Sequence, residues 1–232
     1  MSLFAKPDRL ILAALLALSV MPIAGGVVRL VELGRGAAIT PDNARFFAAP
    51  WSVGWHIVSS VGFCVLGAFQ FAPGFRRRAP HWHRVAGRVL VPCGIVAALT
   101  GVWMTLTHPP ASFVGPLPAS FDGPSLYYIR LLAGTAMAWS LGLGVLAVMK
   151  GDIPRHRAWM MRGYALGLAA GTQAFTHLPW FLFPSIHGEW ARTLCMSAGW
   201  IINLAVAEWL IARERRNRMS NELRLGAPEP AR

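Results

Sequence analysis

Residues 46–75 read FFAAPWSVGWHIVSSVGFCVLGAFQFAPGF and contain no Asp, Glu, Lys or Arg. This run exceeds the roughly 20 residues with which an α-helix crosses the hydrocarbon core of a bilayer. Working outward, the same property recurs over residues 89–121 and 163–187. The whole chain of 232 residues is 55% apolar and only 14% charged, with a mean hydropathy of +0.46, whereas a soluble domain carries about 25% charge. An ordinary water-soluble globule is excluded. The pattern predicts an all-α, polytopic membrane bundle, because a helix satisfies its own backbone hydrogen bonds where water is absent.

Six spans fit the sequence, over residues 10–31, 51–71, 87–107, 126–149, 160–181 and 190–212. With the N-terminus inside, the cytoplasmic segments hold 17 of the 22 basic residues. Only Arg29, Arg35, Arg45, Arg130 and Arg192 are left for the outer side. Basic residues accumulate in cytoplasmic loops, so both termini are expected in the cytoplasm. Tryptophans prefer the headgroup level, and their positions agree: Trp51, Trp55, Trp180 and Trp190 fall near outer ends, Trp82, Trp159 and Trp209 near inner ones. The net charge of +12 therefore reports topology and lipid contact, and no nucleic-acid partner is expected. Cys64, Cys93 and Cys195 all fall within apolar spans and are read as reduced, buried small hydrophobes. The first apolar run resembles a signal peptide at its start but stays uncharged through Val28, and it is read as a retained first span. The expected organisation is one transmembrane domain over 1–232, with core helices over 51–184 and a basic tail over 213–232 lying on anionic lipid. The Pro- and Gly-rich outer loop over 108–124 is read as a connector or a lid.

Two inner loops echo each other: PHWHRVAGR at residues 80–88 and PRHRAWMMRG at residues 154–163. Each sets Pro at a helix start, then His-Arg, then another Arg one turn on. Histidines recur at the span ends, with His56 opening span two outside, His83 and His156 opening spans three and five inside, and His108 and His177 closing those two spans outside. Between the last four run stripes of small residues: Gly87, Gly94, Ala97 and Gly101 on span three, and Gly163, Gly167, Ala170 and Ala174 on span five.

Such stripes have two readings. Small residues let helices approach closely in lipid, with polar groups bonding between them. Alternatively, imidazoles at matching depth on facing helices ligate a flat cofactor, and two axial His with no open position suit haem iron in electron transfer. The candidate ligands are His83 with His156 inside and His56 with His177 outside, with Arg84 or Arg157 neutralising propionates. His81, His108 and His187 are read as loop or interface residues. Arg29 and Glu32 are placed to pair on span one, Arg130 and Glu208 to snorkel, and Asn203 to act as interhelical glue. Hydrolase and nucleotide-binding signatures are absent.

The segments HIVSSVGFCVLGAFQF (56–71), HRVAGRV (83–89) and HRAWMMRGYAL (156–166) resemble an uncharacterised family of predicted bacterial membrane proteins, a domain of unknown function. The likeness covers spans two to five and carries over His56, Gln70, His83, Arg84, Gly87, Arg88, His156, Trp159, Met160 and Arg162. Family members often continue with Arg where this chain has Gln173. A looser likeness is to cytochrome b561-type bundles, in which paired His on core helices bind haem. These resemblances imply a multi-pass protein of the bacterial inner (cytoplasmic) membrane. The expected function is binding of haem b and transmembrane electron transfer, as a membrane-bound oxidoreductase or electron carrier with a redox partner or as a homo-oligomer. The alternatives are a cofactor-free protein binding lipid or a partner subunit, and then a small-molecule transporter.

Overall fold

A computed structural model describes residues 6–40, 43–107, 121–183 and 185–225. The outer loop over 108–120, including His108, and the end of the tail over 226–232 lie outside the described residues. The helices are α1 (Lys6–Arg35), α2 (Ala44–Ala48), α3 (Pro50–Gln70), α4 (Pro73–Arg78), α5 (Pro80–Thr107), α6 (Pro124–Met149), α7 (Ile153–Gly167), α8 (Ala169–Thr176), α9 (Leu178–Leu182) and α10 (Glu189–Leu225). Among the described residues there is no strand. Proline opens α3, α6 and α7, where its missing N–H and fixed φ suit a first helical turn. At α7 the Asp152 side chain also accepts a bond from the Arg155 backbone N–H at 3.0 Å, a short-range cap.

Helices α1, α3, α5, α6 and α10 are each long and apolar enough to cross a membrane. The sixth expected span is divided. Leu168 interrupts it between α7 and α8 while keeping helical angles (φ −78°, ψ −8°), so the path continues past the break. Neighbours in sequence pack as neighbours in space: α3 on α5, α5 on α6, and α6 on α7. Outside this four-helix core, α1 lies against α3 and α8, while α10 lies against α7 and α8.

The core is built from Phe63, Cys64, Leu90, Ala98, Met137, Leu141, Tyr164, Leu166 and Leu168. Glycine notches admit its large side chains. A Cβ on Gly94 would stand 2.6 Å from both Leu141 and Phe63, one on Gly163 would stand 2.7 Å from Leu141, and one on Gly67 would stand 2.5 Å from the Tyr164 ring. The middle of the small-residue stripes is thus occupied by side chains of neighbouring helices, which is the close-packing use of such stripes. Tyr164 completes the core by donating its hydroxyl to the Cys64 carbonyl at 2.7 Å. Outward-facing Trp139, Leu132 and Trp190 are each about 70% exposed. Large apolar side chains displayed this way fit a lipid-facing surface.

Candidate functional site

The inner end of the bundle gathers the two motif loops. α4 delivers Arg76, the start of α5 delivers His83 and Arg84, and the start of α7 delivers His156 and Arg157. His83 and His156 both stand at this inner end, at the starts of α5 and α7, near Arg76 and Arg84. The His156 Nδ1 lies 2.8 Å from the Gly144 carbonyl oxygen; donation there fixes the ring and leaves Nε2 with a lone pair. Three side-chain atoms from three helices are buried at this end with no hydrogen-bond partner: Gln70 Nε2, His83 Nδ1 and Arg157 Nε. Buried polar atoms are nearly always bonded to protein or water, so these three are open to a ligand or to water. Burial, together with the neighbouring Arg157, pushes the Arg76 guanidinium below its ordinary range. Arg157 also pairs with Glu214 at 2.6 Å, while Arg84 is exposed.

Lower on the same face, Arg162 grips Glu208 with two bonds of 2.5 and 2.9 Å and lies 4.6 Å from the centre of the Trp159 ring. Glu208 is therefore paired between α7 and α10. Asn203 fulfils its expected role: its side chain bonds Thr172 at 2.7 Å and the Ala165 carbonyl at 3.0 Å. Arg29 and Glu32 pair as expected.

The outer end is different. The His56 Nδ1 lies 2.9 Å from the Ala97 carbonyl oxygen, which turns the ring toward α5. The ring lines a cavity of about 470 Å³ between the helices. His177 is not part of that wall. Its Nδ1 donates to the Gln173 carbonyl at 2.6 Å and its Nε2 accepts from Arg192 at 2.5 Å. The two outer histidines thus occupy separate settings. Arg192 in turn joins a cluster centred on Asp122, whose side chain is 2% exposed. Asp122 takes Arg130 at 2.6 Å, Arg192 at 3.1 Å and Arg45 at 4.0 Å. Arg130 is held by this carboxylate. His81 and His187 are exposed, the latter against Trp180 with ring centres 4.6 Å apart.

A family model described as a predicted membrane protein (DUF2306) matches residues 53–211. The chain belongs to this family. The DUF2306 match runs from α3 into α10 and so takes in both the inner cluster and most of the outer cavity. No curated protein and no solved structure matches the chain. Among the described residues of this DUF2306 protein, no group of three or more His, Cys, Asp or Glu is arranged around a common point that a metal ion would fill. A pair of imidazoles is what bis-histidine haem ligation requires. The sequence pointed to His83, His156, Gln70 and Arg157 through their motifs. It did not single out Asp122, Arg45 or Arg192 as a cluster, since their separations in the chain follow no local period.

Proposed function

We propose that this membrane protein holds a b-type haem between His83 and His156 at the inner end of the bundle and serves in electron transfer across the bacterial cytoplasmic membrane. The single observation behind this is that two imidazoles from separate helices stand at one end of the bundle where three buried polar atoms lack protein partners. Bound there, haem would supply a one-electron carrier. The Gly144 carbonyl holds the His156 ring by its Nδ1, the usual way a protein orients an axial imidazole. Arg157 and Arg84, joined by Arg76, offer guanidinium groups to propionate carboxylates. Phe63 and Leu141 fill the mid-bundle notches, which confines the cofactor to the inner level. The likeness to cytochrome b561-type bundles then concerns one histidine pair on alternate spans.

The test is the reduced-minus-oxidised visible spectrum of detergent-purified protein from haem-replete cells. A Soret band and sharp reduced bands are expected in the wild type and in His177→Ala. Both should disappear in the His83→Ala, His156→Ala double variant. Colourless, folded wild-type protein would overturn the reading. The filled middle of the bundle favours a second reading, in which Gln70 and Arg157 donate instead to the phosphate of an anionic lipid. In that case the protein is colourless, and native mass spectrometry finds anionic lipid that is lost in Arg157→Gln.

A further inference from the structure

The outer cavity is independent of the inner histidine pair. Its volume of about 470 Å³ lies within the roughly 300–1,000 Å³ typical of small-molecule sites, which are mostly apolar with a few placed polar groups. The break in the divided helix belongs to its wall: Gly167, Leu168 and Ala170 line it, together with the rings of Phe46, Phe63 and Trp200. Irregular backbone at membrane depth is tolerated where it is buried in protein or lines a cavity. The polar groups of this wall have a common sense. Ser19 and Thr105 spend their hydroxyl protons on carbonyls of their own helices, at 3.0 and 2.8 Å. Arg130 and Arg45 are drawn to the Asp122 carboxylate, at 2.6 and 4.0 Å. Two acceptors in the wall, by contrast, are left open. The His56 Nδ1 lies 2.9 Å from the Ala97 carbonyl and 3.1 Å from the Thr100 hydroxyl. A carbonyl can only accept, and the Thr100 proton goes to the Val96 carbonyl at 2.6 Å, so Nδ1 carries the ring proton and Nε2 keeps a lone pair. That edge of the ring is seated on α5, where a Cβ on Gly101 would stand 3.3 Å from the His56 Cε1. Gln173, only 9% exposed, donates its Nε2 to the Met196 carbonyl at 3.0 Å, which leaves Oε1 to accept. Among the described residues no donor reaches the His56 Nε2 or the Gln173 Oε1. A ligand that satisfies this wall brings protons to it, and a buried acceptor left unmet is costly.

We infer that this cavity binds an uncharged, apolar molecule carrying a ring hydroxyl, a phenol or a hydroquinone, which donates to the His56 Nε2 and, where it has a second hydroxyl, to the Gln173 Oε1. Its ring lies among Phe46, Phe63 and Trp200, whose faces and edges suit an aromatic guest. An ether or ketone of the same shape would cover the apolar wall equally well but would set acceptors against acceptors.

Native mass spectrometry of the full chain in a neutral detergent at pH 7 tests this, with 4-octylphenol, octylhydroquinone, 4-octylanisole and 4-octylbenzoate as separate probes and affinities corrected for partition into detergent alone. One octylphenol per protein is expected, bound about tenfold more tightly than the anisole, in which the hydroxyl proton is replaced by methyl. A further gain for the hydroquinone assigns both acceptors and equal binding assigns one, and either supports the site. His56→Phe keeps the bulk of the ring and should erase most of the phenol's advantage over the anisole, while Gln173→Leu should remove any extra gain of the hydroquinone. Filling the cavity with Ala133→Phe or Ser60→Leu should weaken binding of every probe. Should any of these variants fail to fold, the wild-type ranking of phenol over anisole still decides. Equal binding of the anisole, tighter binding of the benzoate, or a phenol advantage unchanged in both folded acceptor variants would overturn the inference.

Discussion

Asp122 gathers three arginines around one buried carboxylate. Its buried carboxylate ties α6 to α10 through Arg130 and Arg192, and reaches Arg45 of α2. Asp122→Asn keeps the shape but leaves three guanidiniums around a neutral amide. Breaking a buried pair from one side costs about 3–5 kcal/mol, so a large fall in thermal midpoint in detergent is expected. Glu208→Gln removes a carboxylate that is 51% exposed, and surface pairs contribute about 0–1 kcal/mol; its midpoint should barely move. Equal losses in the two variants would refute this ranking. The contrast also separates what a sequence displays from what it conceals. Asn203 stands alone in an apolar span, and that isolation announces an interhelical bond. Asp122 sits at the end of a Pro-rich loop, and its partners at positions 45 and 192 are brought to it only by tertiary packing. Read one residue at a time, Arg130 has no visible acid and is assigned to the headgroup layer.

At the scale of elements, glycine spacing was readable but its use was not. The stripes on α5 and α7 imply close approach, and they admit either side-chain knobs or a flat ring. Which of these fills them depends on Phe63 of α3 and Leu141 of α6, whose positions follow from the packing of four helices. Gly171 makes the tightest contact with backbone among the described glycines: a Cβ there would fall 1.9 Å from the Leu18 carbonyl oxygen of α1. Backbone cannot rotate away as a flexible side chain can, so Gly171→Ala must push α1 from α8. Overpacking of this kind costs about 1–3 kcal/mol or more. Gly142 of α6 meets nothing within 4 Å at the same construction. There Ala removes the backbone-entropy penalty of glycine, a gain of roughly 0.5–1 kcal/mol. Thermal unfolding in detergent should therefore fall for Gly171→Ala and hold or rise for Gly142→Ala. The interruption at Leu168 was not legible for a related reason. Between Arg162 and Gln173 every residue is apolar, aromatic or small, and nothing in that pattern marks where the helical hydrogen bonding breaks.

The break matters most for the whole molecule, because it decides how many times the chain crosses the bilayer. Five unbroken helices alone would place the termini on opposite sides. Counting the divided path through α7, α8 and α9 as a sixth crossing returns the C-terminus to the side of the N-terminus. At about 1.5 Å per residue, the 30 residues from Ile153 to Leu182 are long enough to cross the roughly 30 Å hydrocarbon layer even with a break. Charge agrees, since Arg155 and Arg157 stand in the first turns of this path and the basic stretch from Arg213 ends the next one. Cysteine labelling decides the matter in a background lacking Cys64, Cys93 and Cys195. With a membrane-impermeant maleimide applied to intact cells, Ala37→Cys and Ser185→Cys should react. Ser220→Cys should react only after the membrane is opened. If residue 185 instead reacts only after the membrane is opened and residue 220 reacts in intact cells, the divided segment turns back without crossing. The Asp122 cluster, which joins the start of α6 to that of α10, would then have to draw its partners from opposite faces of the membrane. A buried carboxylate bonded at 2.6 and 3.1 Å to both does not permit that arrangement, so the contacts that draw Arg130 and Arg192 to Asp122 also call for the sixth crossing.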